Sequence, residues 1–360
     1  GIVLLKNEGG LLPLQATGRI AIIGGHADRG VMSGGGSSQV YPDGENAVPG
    51  LEPTSWPGPV MFYPSAPLAE LRRLLPDAQF AFDSGDDPEA AAQLAGEADV
   101  AIVFGTQWAS ESIDVPLTLG EGQDELVSAV AAANPSTVVV LQSGGPVLMP
   151  WADDVPAIVA AWYPGRMGGA AIAAVLSGEV NPAGHLPATF PASLDQLPHP
   201  EDPREGTTAY EEGVLVGYKW FDAKGHEPLF PFGHGLSYTS FDYRDLRVRP
   251  NGHGLVASVR VTNTGERAGA DAVQLYVSGP GWEELKRLAG FARVTLEPGE
   301  STIIGIEVDP RLLSVWNTAN PGWTRRRGDY TLSVARSSRD TVESETIALT
   351  ENHLPPQWKP

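Results

Sequence analysis

The sequence predicts an α/β domain with a mainly parallel sheet, followed by an all-β sandwich of immunoglobulin or fibronectin type III kind. Apolar runs alternate with helical patterns up to about residue 180, which is the signature of a parallel sheet covered on both faces. From about residue 252 the hydrophobic period changes to two, as half-buried antiparallel strands require. The 360 residues suffice for two domains. We expect the α/β domain over 1–240 and the β-sandwich over 241–360.

The opening, 1–15, is a short apolar element ending in Leu11-Leu-Pro-Leu14. Arg19-Ile-Ala-Ile-Ile-Gly24 reads as a buried strand, and a Gly-rich loop follows it through Ser33-Gly-Gly-Gly-Ser-Ser38. A strand before such a loop invites a nucleotide reading, but neither G-x-G-x-x-G nor the P-loop spacing is present. The loop reads equally well as a flexible turn or as a functional one. Its glycines allow close backbone approach, and its serines offer donors to a hydroxylated ligand, so Gly36, Ser37 and Ser38 are candidate substrate contacts. Irregular structure rich in Pro and Gly is expected over 42–66, a helix over 67–75, a strand over 79–82 and an Ala-rich helix over 87–97.

The run 99–105 is the next buried strand, and a helix over 121–134 presents Leu126, Val127, Val130 and Ala131 on one side. Between them lies Trp108-Ala-Ser-Glu-Ser-Ile-Asp114. Glu111 therefore sits just past the carboxyl end of a strand, where open α/β sheets bind ligands. A carboxyl beside Trp108 has the materials of a general acid, because low polarity would raise its pKa. The plainer reading is a solvated loop glutamate. Trp108 is a candidate sugar platform, although the core is the usual place for a Trp. Further strands are expected over 136–141 and 157–162, then a helix from Arg166 with Met167, Ala171, Ile172, Val175 and Leu176 on one face. The stretch 181–243, dense in Pro, Gly and aromatics, is read as functional or as an interdomain wrap. About seven short strands follow over roughly 100 residues.

Composition narrows the function. A net charge of −20 disfavours nucleic acid, and no run of about twenty apolar residues offers a membrane span. The absence of Cys excludes disulfides, thiol chemistry and Cys-ligated metal. The seven His residues fall in no metal-binding spacing, and neither Ser143 nor Ser237 lies in a G-x-S-x-G elbow. No cofactor is expected. The chain opens on Gly1 without an initiator Met or a signal-peptide pattern, and reads as starting partway through a longer protein. A periplasmic or secreted location is favoured over the cytoplasm.

The motifs together resemble the C-terminal portion of a family 3 glycoside hydrolase of the β-glucosidase type. Gly1-Ile-Val-Leu-Leu-Lys-Asn-Glu-Gly-Gly-Leu-Leu-Pro-Leu14 resembles the opening of the family's second domain. Asn134 to Val147, Ala161-Trp-Tyr-Pro-Gly165 and Asn181 to Pro191 continue it, with His185 where Lys or Arg is usual. Tyr210 to Asp222 and Pro228-Leu-Phe-Pro-Phe-Gly-His-Gly-Leu-Ser-Tyr238 are the most specific stretches. The tail resembles the family's fibronectin type III-like domain, notably in Val261-Thr-Asn-Thr-Gly265 and Ala270 to Val277.

The resemblance implies retaining hydrolysis of terminal β-D-glucosyl residues by two carboxylates. Glu111 falls on the general acid/base and Asp114 on the same motif's Asp, while Val115 replaces the usual Arg. The loop at 34–38 falls on one that borders the sugar pocket. The nucleophile is implied to be an Asp of an N-terminal TIM-like barrel that these residues do not contain. The implied partners are that barrel, as a second chain or cleaved fragment, a β-glucoside or oligosaccharide, and a second copy of the complete enzyme. Alternative readings are a β-xylosidase of the same family and a non-catalytic carbohydrate-binding or scaffold protein.

Overall fold

The computed structural model describes residues 1–37, 39–199 and 209–359; Ser38 and part of the stretch 181–243 lie outside the described residues. The first unit comprises Gly1–Gly184 with Leu236–Tyr238. Its elements in chain order are β1 (Val3–Asn7), β2 (Gly18–Ile23), β3 (Val31–Ser33), β4 (Met61–Tyr63), α1 (Pro67–Leu74), β5 (Ala78–Asp83), α2 (Pro88–Gly96), β6 (Val100–Thr106), α3 (Gln123–Ala133), β7 (Thr137–Gln142), β8 (Ala157–Ala160) and α4 (Gly168–Ser177). Six strands form one sheet in the order β1-β8-β7-β6-β2-β5. Five of them run parallel, and β1 closes the edge antiparallel to β8.

The strands read as unbroken Val/Ile runs because both faces are covered. Ile20, Ile22, Ile102, Phe104, Val138 and Val140 share a cluster with Leu68 and Leu71 of α1 and Ile172 and Leu176 of α4. The residues that alternate with them, such as Ala21, Ile23, Val103 and Val139, are buried too, on the side where α2 packs with α3. Each Val, Ile, Leu or Phe side chain among them, fully buried, contributes about 1.5–3 kcal/mol. Asp87 caps α2 by accepting from the amides of Glu89 and Ala90, with Pro88 preset for the first turn.

Along α4 the expected face is rotated. Met167 is 64% exposed and Ala171 is exposed, while Gly168, Gly169, Ile172 and Ala173 face inward. A Cβ at Gly169 would lie 2.1 Å from the carbonyl of Ser65, so this glycine lets α4 approach the chain entering α1, while Gly168 makes room for Pro164 and Val31. Hydrophobicity alone missed this, since the contact surface is backbone.

The second unit comprises His185–Gly235 and Thr239–Pro360. By its contacts, most of the Pro- and Gly-rich stretch groups with the sandwich. This unit contains α5 (Tyr218–Lys224) and the strands β9 (Phe241–Asn251), β10 (Gly254–Asn263), β11 (Gly269–Ser278), β12 (Arg287–Leu296), β13 (Ser301–Val308), β14 (Val315–Asn317), β15 (Gly322–Arg325), β16 (Gly328–Ser337), β17 (Asp340–Leu349) and β18 (Asn352–Leu354). Two antiparallel sheets, β13-β10-β9 and β12-β11-β16-β17, supply the seven expected strands. Their inward residues, among them Leu255, Val259, Val273, Leu275, Leu332 and Val334, form one core. A further small sheet, β14-β15-β18, was not expected.

A polar cluster is buried in this unit. His185 places Nδ1 2.7 Å from the Gly233 carbonyl and Nε2 2.9 Å from an Asp271 carboxylate oxygen. The Tyr243 hydroxyl donates to the other Asp271 oxygen. Both ring nitrogens of His185 face acceptors, which suits the doubly protonated ring.

Candidate active site

From β2 the chain crosses to β5 on one side, then returns to β6 on the other side of β2. The crevice at the carboxyl ends of such a pair is where open α/β sheets take ligands. The loop after β2 leads through β3 to Gly34–Ser37, and the loop after β6 carries Trp108 to Asp114.

The second loop is pinned at its base. Gln123 accepts from the Thr106 amide at 2.7 Å and donates to its carbonyl at 2.8 Å. The buried Gln107 side chain donates to the carbonyls of Pro116 and Thr118 at 2.7 and 2.9 Å. The Tyr163 hydroxyl accepts from the Ala109 amide at 2.7 Å and donates to the Gln107 carbonyl at 2.8 Å. Trp162, just before it, has φ of 58°. That is a costly conformation for a bulky residue.

The three glycines of the first loop have separate close contacts. A Cβ at Gly34 would lie 2.5 Å from the Tyr163 ring, and one at Gly35 2.7 Å from the Trp108 ring and 2.9 Å from the Ser110 hydroxyl. At Gly36, with φ of +88°, it would lie 2.5 Å from the Glu111 Cβ. The Gly35 amide donates to the Ala109 carbonyl at 2.9 Å, and the Ser37 amide to Glu111 Oε2 at 2.8 Å. The close approach expected of this loop is therefore made to the Glu111 loop.

A cleft of about 380 Å³ opens here, lined by Ser33, Gly34, Gly35, Tyr63, Ala109, Ser110, Glu111, Gly144, Tyr163 and Gly165. Glu111 is on the cleft and exposed. Gly36 packs behind it and Ser37 bonds to it, but neither lines the cleft. Trp108 packs with Met32, Val48, Val60 and Phe62, its indole nitrogen buried and unpartnered. Ser38 lies outside the described residues. Asp114 is exposed and makes no ion pair among the described residues, in keeping with Val115 in place of Arg. Sequence reasoning missed Tyr163 and Tyr63. Tyr163 lay inside a quoted motif, Ala161 to Gly165, but nothing in its spacing announced a hydroxyl that ties two backbone groups.

The electrostatics correct one expectation. Glu111 is held below the usual carboxylate range, because the Ser37 hydroxyl and amide both donate to it and burial opposes them only weakly. Trp108 does not supply the apolar wall that would raise it, since its ring packs into the cluster with Met32, Val48, Val60 and Phe62. Burial pushes the Tyr163 hydroxyl up, against the hydrogen bonds it makes. Among the described residues no group of three or more His, Asp or Glu is placed to hold a metal ion.

Known proteins share this architecture. The profile of the glycosyl hydrolase family 3 C-terminal domain matches residues 2–238, and that of the fibronectin type III-like domain matches 271–338. Thermostable beta-glucosidase B of Acetivibrio thermocellus is 37% identical over 366 aligned positions, covering 96% of this chain and 46% of that protein. Probable beta-glucosidase I of Aspergillus terreus is 41% identical over 71% of this chain and 32% of its own length. This chain thus spans less than half of either relative. Among solved structures, the beta-glucosidase DesR of Streptomyces venezuelae, in complex with D-glucose, superposes with a TM-score of 0.87 at 28% identity over 97% of this chain and 58% of its own. The GH3 beta-glucosidase of Bifidobacterium adolescentis gives 0.83 at 32% identity, over 98% of this chain and 52% of its own. With a family profile matched over more than half of its residues, the chain belongs to glycoside hydrolase family 3.

Proposed function

We propose that this chain supplies the general acid/base of a retaining β-glucosidase, and that Glu111 is that residue. The observation that carries the reading is the placement of Glu111 as the sole carboxylate lining the cleft at the carboxyl ends of the sheet, among the described residues. The names of the relatives support β-glucoside hydrolysis. Their greater length supports a partner region, the N-terminal barrel, as the source of the Asp nucleophile.

A retaining pair has its carboxyls about 5–5.5 Å apart. Glu111 then donates its proton to the leaving glycosidic oxygen while the nucleophile attacks the anomeric carbon, and the same carboxylate afterwards takes a proton from the incoming water. In the open cleft Glu111 is ionised near neutral pH. A barrel closing over it would exclude water and raise its pKa toward that of a working acid.

Two measurements test this. The purified 360-residue chain alone should not turn over an aryl β-glucoside, and the chain joined to its barrel should. In that longer enzyme, Glu111→Ala should still cleave a dinitrophenyl glucoside, whose leaving group needs no proton. Its slow second step should be rescued by azide with a β-glycosyl azide as product. Activity of the chain alone, or an α-azide from the variant, would overturn the assignment.

A further inference from the structure

The second unit contains a groove that the hydrolytic chemistry does not use. Its volume is about 920 Å³, near the top of the roughly 300–1,000 Å³ usual for small-molecule sites. The small sheet β14-β15-β18 forms part of it. Trp316 and Trp323 stand directly opposite across β14 and β15, ring centroids 5.3 Å apart and nearly perpendicular. Trp316 is 45% exposed. A third indole, Trp282, is covered on one side by the Arg287 guanidinium at 3.8 Å.

The polar groups of the groove are mostly matched to one another. Glu284 pairs with Arg287 at 2.6 Å and with Lys219 at 3.5 Å, and Asp309 pairs with Arg311 at 2.5 Å. Two charged side chains are left over. Among the described residues, the side chains of Arg326 and Glu283 have no hydrogen-bond or ion-pair partner, although the Arg326 carbonyl accepts from the Tyr330 hydroxyl. Arg326 lies across Gly281, where a Cβ would sit 1.9 Å from its Nη1, so the glycine makes room for the guanidinium at the groove. An exposed indole face, one free donor fork and one free acceptor are what a neutral, many-hydroxylated ring needs. Four cationic residues against three anionic ones suit neither a polyanion nor a metal ion.

We propose that this groove binds an oligosaccharide of β-linked pyranose rings with equatorial hydroxyls. Such rings present a flat C–H face that stacks on Trp316, while Arg326 donates to ring hydroxyls and Glu283 accepts from them. The inference stands whatever the role of Glu111, since it draws on the second unit alone.

Isothermal titration of the 360-residue chain with cellotetraose and with xylotetraose tests it, with an α-linked maltotetraose control. At least one β-linked ligand should bind saturably, and maltotetraose more weakly. Trp316→Ala should weaken binding about tenfold, the upper range of an aromatic stacking contact. Trp316→Tyr should restore most of it, and Arg326→Ala should cost a smaller factor. Since Trp316 and Arg326 are exposed, thermal midpoints should stay at the parent value. Absence of saturable binding up to about 10 mM, or unchanged binding in Trp316→Ala, overturns the proposal. So does a change of oligomeric state in Trp316→Ala without a change in sugar affinity, which would assign the groove to contact between copies of the chain.

Discussion

The cleft of the first unit and the buried cluster of the second each hold a carboxyl below its ordinary range, by opposite means. Glu111 lies open to solvent, and two donors from one residue, Ser37, do the work. Asp271 is buried, and burial alone would push it up. The hydrogen bonds of His185 and Tyr243, the charge of His185 and the Ala272 amide more than reverse that. His185 responds in kind: burial opposes its charged form, but the hydrogen bond and charge of Asp271, with the Gly233 carbonyl, raise its pKa. A carboxylate held by one exposed neighbour can change its proton affinity when something covers it. One whose partners are themselves buried cannot change without loosening the fold.

The strongest way to break this comparison is to remove each carboxyl in turn. In the barrel-containing enzyme, Glu111→Ala should lower turnover of a cellobiose-type substrate by about two to four orders of magnitude, the worth of general acid–base catalysis. Its thermal midpoint should not move, because Glu111 is exposed. Near-parental hydrolysis would remove Glu111 from the role. Asp271→Ala should do the reverse. It strands the His185 and Tyr243 donors and should cost about 3–5 kcal/mol of unfolding free energy in urea titration. A loss below about 1 kcal/mol, the range of an exposed pair, would show the cluster to be loosely held.

The pH dependence sharpens the same contrast. The raised pKa of His185 means that its contribution is complete below the ordinary imidazole range and fades as pH rises through the raised value. The depressed pKa of Asp271 means that its contribution is present above the ordinary carboxyl range and fades as pH falls through the lowered value. Stability from the cluster should therefore be greatest in mildly acidic solution and decline toward alkaline pH. In His185→Gln that alkaline decline should flatten. Equal slopes for parent and variant, read from thermal midpoints across pH, would mean that His185 is neutral in the fold. The smallest effect is expected from Ser37→Ala. It removes the hydroxyl but keeps the amide, so the alkaline limb of kcat/KM, which reports the protonated general acid of the free enzyme, should move to slightly higher pH. A limb that does not move would show that the hydroxyl contributes nothing once the cleft is covered.

Much of the architecture was legible. The runs at β2, β6 and β7 had to be buried strands, because apolar residues without alternation fit only a sheet covered on both faces. Leu126, Val127, Val130 and Ala131 repeat at helical spacing, and α3 buries those residues. The alternation of Leu255, Ala257, Val259 and Val261 placed one face of β10 inward. Glu111 was found by its place after a strand and by the resemblance of its loop. These features depend on residues near one another in the chain, whose pattern reports the face they turn.

What the chain pattern did not contain is equally specific. β14, β15 and β18 have three or four residues each, too few to show a period, and only their pairing sets Trp316 opposite Trp323. The inward face of α4 is set by the Ser65 carbonyl against Gly169, across more than a hundred residues of chain. Whether Glu111 meets an apolar wall or a pair of donors depended on which way the Trp108 ring turned and on where Ser37 came to rest, 74 residues earlier in the sequence. By itself the sequence determined the layers, the order of the strands along the chain and the place of Glu111 in the loop after β6, because burial and periodicity are local properties. The proton affinity of that carboxyl, the clamp from Tyr163 and the groove of the second unit were decided only by the tertiary structure. Each depends on groups distant in the chain approaching within hydrogen-bond or van der Waals distance, and no local pattern encodes that distance.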